Sequence, residues 1–141
     1  MGTHPLRSRV VVLNGHHEVA LISRHTANAD YYTLPGGGIE KGEEDYEAAV
    51  REVQEELGLA VRLEDFLGMA GKQSVFLARV ENRPSLTLSG PELAKASEDN
   101  TYTPLWVPLE QLVSLRVHSR DVKSMLLHYL PRWLPAVALS H

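Results

Sequence analysis

The spacing of hydrophobic and polar positions changes several times along the chain, and each change predicts an element. Arg7–Asn14 (RSRVVVLN) is a β-branched run closed by the turn signal Asn14-Gly15, and Glu18–Arg24 (EVALISR) follows as a second strand. The pair predicts a hairpin with His16 and His17 as solvent-exposed loop residues. A polar stretch, His25–Asp30, leads into a short strand at Tyr31–Leu34 and then the glycine turn Pro35-Gly36-Gly37-Gly38. Asp45–Leu57 switches to a helical period. At about 100° per residue Tyr46, Val50, Val53 and Leu57 form one apolar stripe. Glu43, Glu44 and Asp45 suit the positive end of the helix, Gly58 suits a left-handed C-terminal position, and Leu59 is placed to fold back on the last turn.

Beyond the helix, Val61–Gly71 reads as a strand with an irregular end at Gly68 or Gly71, and Gln73–Val80 as a clearer one. Asn82-Arg83-Pro84 breaks the chain before a short extended piece at Ser85–Leu88, and Gly90–Asn100 is a polar loop or short helix. Tyr102–Val107 returns to strand, with Pro104 indicating an edge or a bulge. Pro108–Leu115 is predicted as a short helix with proline at its first position. Ser119 caps a last helix to about Leu130, whose apolar side uses Val122, Met125, Leu126 and Tyr129. Trp106 and Trp133 are expected in the core. Strands before and after a central helix, with more helix at the end, predict an α+β layered fold.

The helix also carries the candidate chemistry. Glu55 and Glu56 lie within roughly 60° and 40° of Glu52, while the apolar stripe centres roughly 130° away. The three carboxylates are therefore expected on a face other than the core face, with Ala48 and Ala49 leaving room beside them. Three like charges on one turn cost a few tenths of a kcal/mol per pair in water. Oxygen ligands at this spacing suit a hard cation such as Mg²⁺, which favours carboxylates together with substrate phosphates. The glycines just upstream allow peptide groups to approach a ligand closely. A flexible backbone and an acidic helix face make two halves of a phosphate site.

Composition narrows the class. Length favours one domain over residues 1–141. Hydrophobic residues at 43% and charged residues at 23% are ordinary for a globular protein. A formal net charge of −4 argues against a nucleic-acid polymer or an anionic membrane as partner. Cysteine is absent, so thiolate nucleophiles, thiolate metal sites and disulfides are excluded. No apolar signal region or membrane-length run is present, and a cytoplasmic protein, monomer or homodimer, is the expectation.

Gly37, Glu43, Arg51-Glu52-Val53, Glu55-Glu56 and Gly58-Leu59, with Pro35-Gly36 upstream, resemble a complete Nudix box at Gly37–Leu59. The resemblance implies a Nudix-like α/β/α sandwich with a mixed central β-sheet. It implies divalent cations, Mg²⁺ or Mn²⁺, and cleavage of the diphosphate of a nucleotide-type small molecule. Glu52, Glu55 and Glu56 are the expected metal ligands and, with Arg51, the catalytic set. Gly36, Gly37 and Gly38 are expected at the substrate, and a carbonyl of Gly36 or Gly37 is a possible further ligand. Arg51, roughly 100° from Glu52, is placed to brace Glu43 or a ligand carboxylate from behind.

A general base, or a metal hydroxide in its place, is also required. Glu98 is the preferred base and Glu92 the alternative, with Glu92 also a candidate metal ligand. Tyr32 is a candidate for contact with the substrate. Markers for ADP-ribose and dinucleoside polyphosphates are missing from Ser74-Val75-Phe76 and Leu77, which leaves a nucleoside triphosphate as the leading substrate by elimination. ADP-ribose, dinucleoside polyphosphates and sugar nucleotides remain alternatives, as does a nucleotide-binding regulator without turnover.

Overall fold

The computed structural model of the chain describes residues 4–89, 97 and 100–135. The first hairpin forms as expected from β1 (Arg7–Leu13) and β2 (Glu18–Thr26). The two strands pair at Leu13 and Val19 and take different partners further along. The far end of β1 is occupied by β4 (Gly36–Gly38), with Arg9 opposite Gly36 and Arg7 opposite Gly38. The far end of β2 pairs with β3 (Asp30–Thr33). This divergence leaves a cleft between β1 and β2 on which the functional site depends.

Outside this pair, β1 runs parallel to β6 (Gln73–Arg79), which is antiparallel to β5 (Leu63–Ala70). β5 slips register between Phe66 and Gly68, where its irregular end was expected. β7 (Asn100–Pro108) pairs along the whole of β2 and, as Pro104 suggests, lies at an edge. β8 (Val117–His118) runs parallel to β3. Two elements carry no hydrophobic pattern and escape sequence reading. β4 is three glycines paired through backbone alone, and β8 is two residues long.

The result is the expected α/β/α sandwich with a mixed sheet. Alternation along buried strands sends Val10 and Val12, Ala20 and Ile22, and Phe76 and Ala78 to the face covered by α1 (Asp45–Leu57). Val11, Leu13, Val19, Leu21, Val75 and Leu77 point to the other face, where Val122, Leu126, Leu130 and Trp133 of α2 (Arg120–Trp133) pack. Continuous apolar strands of this kind are what two covered faces require. Ser119 caps α2 through the Val122 amide at 3.4 Å, and the helix continues through Pro131 beyond the expected end. The short helix expected over Pro108–Leu115 is a 3₁₀ helix at Leu109–Val113.

The boundaries of α1 match the sequence reading, and Gly58 has the expected left-handed conformation, φ 71°. Its faces do not match. Val53 and Leu57 are buried with Ala49, but Tyr46 is 52% exposed and Val50 37% exposed. The arc against the sheet instead includes Glu52 and Glu56, at 5% and 4% exposure. Helical periodicity ranks positions by hydrophobicity, whereas β1 and β4 lie on the side of the carboxylates and cover them. Ala48 and Ala49 are fully buried in this arc.

This corrected face gives a paired prediction. Val53→Asp places an unpaired charge among Val10, Ile22 and Phe76 and should cost at least about 3 kcal/mol in chemical denaturation. Val50→Asp, on the supposed stripe but exposed, should stay within about 0.5 kcal/mol of wild type. Equal losses from both would restore the original stripe.

Candidate functional site

The centre of the site is the contact between α1 and the glycine strand β4. Gly36 has φ 147°, and a Cβ there would lie 2.0 Å from the Ser8 carbonyl oxygen, so an L-residue side chain does not fit. A Cβ on Gly37 would lie 2.7 Å from Glu52 Oε1. The glycines thus allow the backbone to close over the two buried carboxylates. The Gly36 N–H donates to Glu56 Oε1 at 2.8 Å, whereas its carbonyl accepts from Arg9 at 3.3 Å. Glu52 Oε2 is buried and, among the described residues, has no hydrogen-bond partner.

Arg51 sits behind the carboxylates as a brace, as its helical angle predicts. Its Nε and one terminal nitrogen donate to both oxygens of Glu43, at 2.8 and 3.0 Å. The other terminal nitrogen donates to Glu52 Oε1 at 2.9 Å and Glu55 Oε2 at 3.4 Å. The Gly38 carbonyl accepts a further bond at 3.1 Å. One guanidinium therefore ties the glycine strand, the loop before α1 and two of the three glutamates together. The hydrogen bonds to Glu43, followed by the hydrogen bond to Glu52 and its charge, raise the Arg51 pKa above its ordinary value. The bonds from Arg51 hold the Glu43 carboxyl below its usual range.

A cavity of about 420 Å³ lies over this cluster, in the cleft between β1 and β2. Glu52, Glu55 and Glu56 form an acidic side, with Gly36, Gly37, Gly38 and Arg51 also on the lining. Arg7, Arg9 and Arg24 supply a basic side. Burial is the main influence on the Arg9 guanidinium and pushes its pKa down, while the charge of Glu56 acts in the opposite direction. The arrangement suits a ligand that accepts hydrogen bonds from arginine and shares cations with carboxylates.

The donor set fits a divalent cation. It offers carboxylate oxygens, one of them buried and unpartnered at Glu52, at a place where glycine leaves room for close approach. Among the described residues, no three acid or histidine side chains are already gathered into a metal cage. Arg51 and the Gly36 amide hold the carboxylates instead.

Of the residues singled out from sequence, Arg51, the three glutamates and the three glycines all line the cavity. Tyr32 does not, because it is part-buried and packs against the core cluster beneath α2. Its position on β3 opposite Ser23 turns it away from the cleft. Glu92 and Glu98 lie outside the described residues. Sequence reading missed Arg7, Arg9, Arg24 and Tyr102. A signal for two of them was present: Arg7 and Arg9 recur with period two at the start of a strand that is wholly apolar from Val10 onward.

Comparison with known proteins agrees with this geometry. The model of the NUDIX domain family matches residues 3–128. The chain is 42% identical over 50 residues to an RNA pyrophosphohydrolase of Roseobacter denitrificans, a match covering 36% of this chain and 31% of the relative's length. A MutT protein from Methanosarcina mazei Go1 superposes with a TM-score of 0.65 at 20% identity, covering 94% of this chain and 96% of that one. The E. coli dihydroneopterin triphosphate pyrophosphohydrolase gives 0.66 at 15% identity, covering 92% and 97%. These two share the fold. With a family model spanning most of its length and the complete box folded around a buried carboxylate pair, the chain belongs to the Nudix hydrolase family.

Proposed function

We propose that the protein is a divalent-metal-dependent pyrophosphohydrolase of nucleoside diphosphate derivatives, with nucleoside triphosphates as the leading substrates. The observation that carries this reading is Glu52 Oε2, a buried carboxylate oxygen beneath a glycine strand with no hydrogen-bond partner among the described residues. A structural carboxylate at this depth would be expected to have its oxygens hydrogen-bonded. The matched RNA pyrophosphohydrolase supports anhydride cleavage as the reaction type.

In this reading Glu52, Glu55 and Glu56 hold Mg²⁺ or Mn²⁺. When bound, the cation neutralises charge developing on phosphate oxygens and lowers the pKa of water. Arg51 keeps Glu52 and Glu55 oriented through its fixed fork of donors. The Gly36 amide fixes Glu56. Arg9 and Arg24, on the basic side, bind and align phosphate oxygens, so that a diphosphate spans the cleft between the two walls. Glu98, with Glu92 as its alternative, takes the proton of the attacking water.

Hydrolysis of a nucleoside triphosphate should stop in excess EDTA and return with Mg²⁺ or Mn²⁺, as read by phosphate release through a coupled pyrophosphatase. Glu56→Gln keeps an oxygen for the Gly36 amide and should retain the fold while nearly abolishing turnover. Undiminished rates in EDTA, or from Glu56→Gln, contradict the proposal. For the base, Glu98→Gln should lower kcat by about a hundredfold or more while KM changes little. The matched Glu92→Gln enzyme should remain near wild type. The reverse pattern assigns the proton to Glu92, and wild-type kcat from both variants removes both from that role.

A further inference from the structure

We infer that a second cavity beside the site receives phosphoryl groups beyond the metal-associated diphosphate, so that the enzyme prefers substrates with three or more phosphates to two-phosphate linkages such as sugar nucleotides. This rests on the function proposed above. The cavity, about 530 Å³, shares Arg7, Arg9, Arg24 and Thr33 with the first, so the same guanidinium groups face both spaces. It adds Lys72, from the turn between β5 and β6, and its lining includes a single acid, Asp121. Among the described residues, none of these four cations is held in a salt bridge.

Arg24 is the cation among these with buried hydrogen-bonding capacity left unused. One terminal nitrogen donates to Asn100 at 3.0 Å, but its Nε is buried without a hydrogen-bond partner among the described residues. The guanidinium lies over the Tyr102 ring, 3.8 Å from its centroid, with Tyr31, on the second cavity's lining, at 5.7 Å. Burial is the main cause of the lowered Arg9 pKa; the charges of Glu56 and Glu52 oppose it, and those of Arg7 and Arg24 add to it. The amino end of α2, at Ser119, borders the same space and adds the positive end of a helix dipole.

Collected cations of this kind are stabilised by a ligand with several anionic oxygens, and arginine forks match phosphate. A polyphosphate chain already anchored at the glutamates delivers such a group directly into the second cavity.

The test is calorimetric titration of inorganic tripolyphosphate and pyrophosphate in saturating Mg²⁺. Lys72 and Asp121 line only the second cavity and are exposed, so their replacement leaves the core intact. Wild type should bind tripolyphosphate at least about tenfold more tightly than pyrophosphate. Lys72→Ala should remove most of that difference, and Asp121→Asn should widen it, with pyrophosphate affinity changed less than about twofold in both. Equal wild-type affinities, or a Lys72→Ala effect of the same factor on both ligands, would overturn the assignment. Tripolyphosphate selectivity without hydrolysis of any nucleotide would instead refute the function proposed above, while hydrolysis without selectivity refutes only the second cavity's role.

Discussion

The structure depends on burying two carboxylates, Glu52 and Glu56, between a helix and a strand made of glycine. Removing carboxylates from water is costly unless hydrogen bonds or opposite charge compensate. Here compensation comes from backbone and from one arginine. The Gly36 amide meets Glu56, and Arg51 reaches Glu52, Glu55, Glu43 and the Gly38 carbonyl. Because the glycines have no Cβ, the strand can approach within contact distance of Glu52. The same contact pins β4 to β1 and so holds open the cleft where β1 and β2 part.

That cleft organises charge into two walls. Carboxylates come from α1, and arginines from the start of β1 and the far half of β2. Two rigid, buried strands therefore present cations opposite a rigid helix face, and the precision of the site comes from packing rather than from loops. The core on either side of the sheet supplies the rigidity: alternating residues of β1, β2 and β6 are buried on both faces, beneath α1 and α2.

Much of this was legible in the sequence. The β-branched runs located β1, β2 and β6, and the glycine-to-glutamate spacing located the site, because both signals are local and periodic. What failed was the side of α1 that faces the sheet. Tyr46 and Val50 outrank Glu52 and Glu56 in hydrophobicity, yet tertiary pairing of β4 with β1 decided which side was covered. Arg24 and Tyr102 were invisible for another reason. They meet across paired strands, opposite one another at positions far apart in sequence, and no local pattern encodes that pairing. Tyr32 was assigned to the substrate by proximity along the chain, and strand alternation sent it to the core side instead.

The central claim is that the buried carboxylates of α1 form a cation site rather than a structural ion pair. Titration with Mn²⁺, followed by the electron paramagnetic resonance signal of the free ion, tests it most directly. Wild-type protein should deplete the free-ion signal in a saturable way, and Glu52→Gln, which keeps its shape and neutralises the unpartnered oxygen's group, should lose that depletion while melting as a folded protein. Equal Mn²⁺ binding by wild type and Glu52→Gln would contradict it.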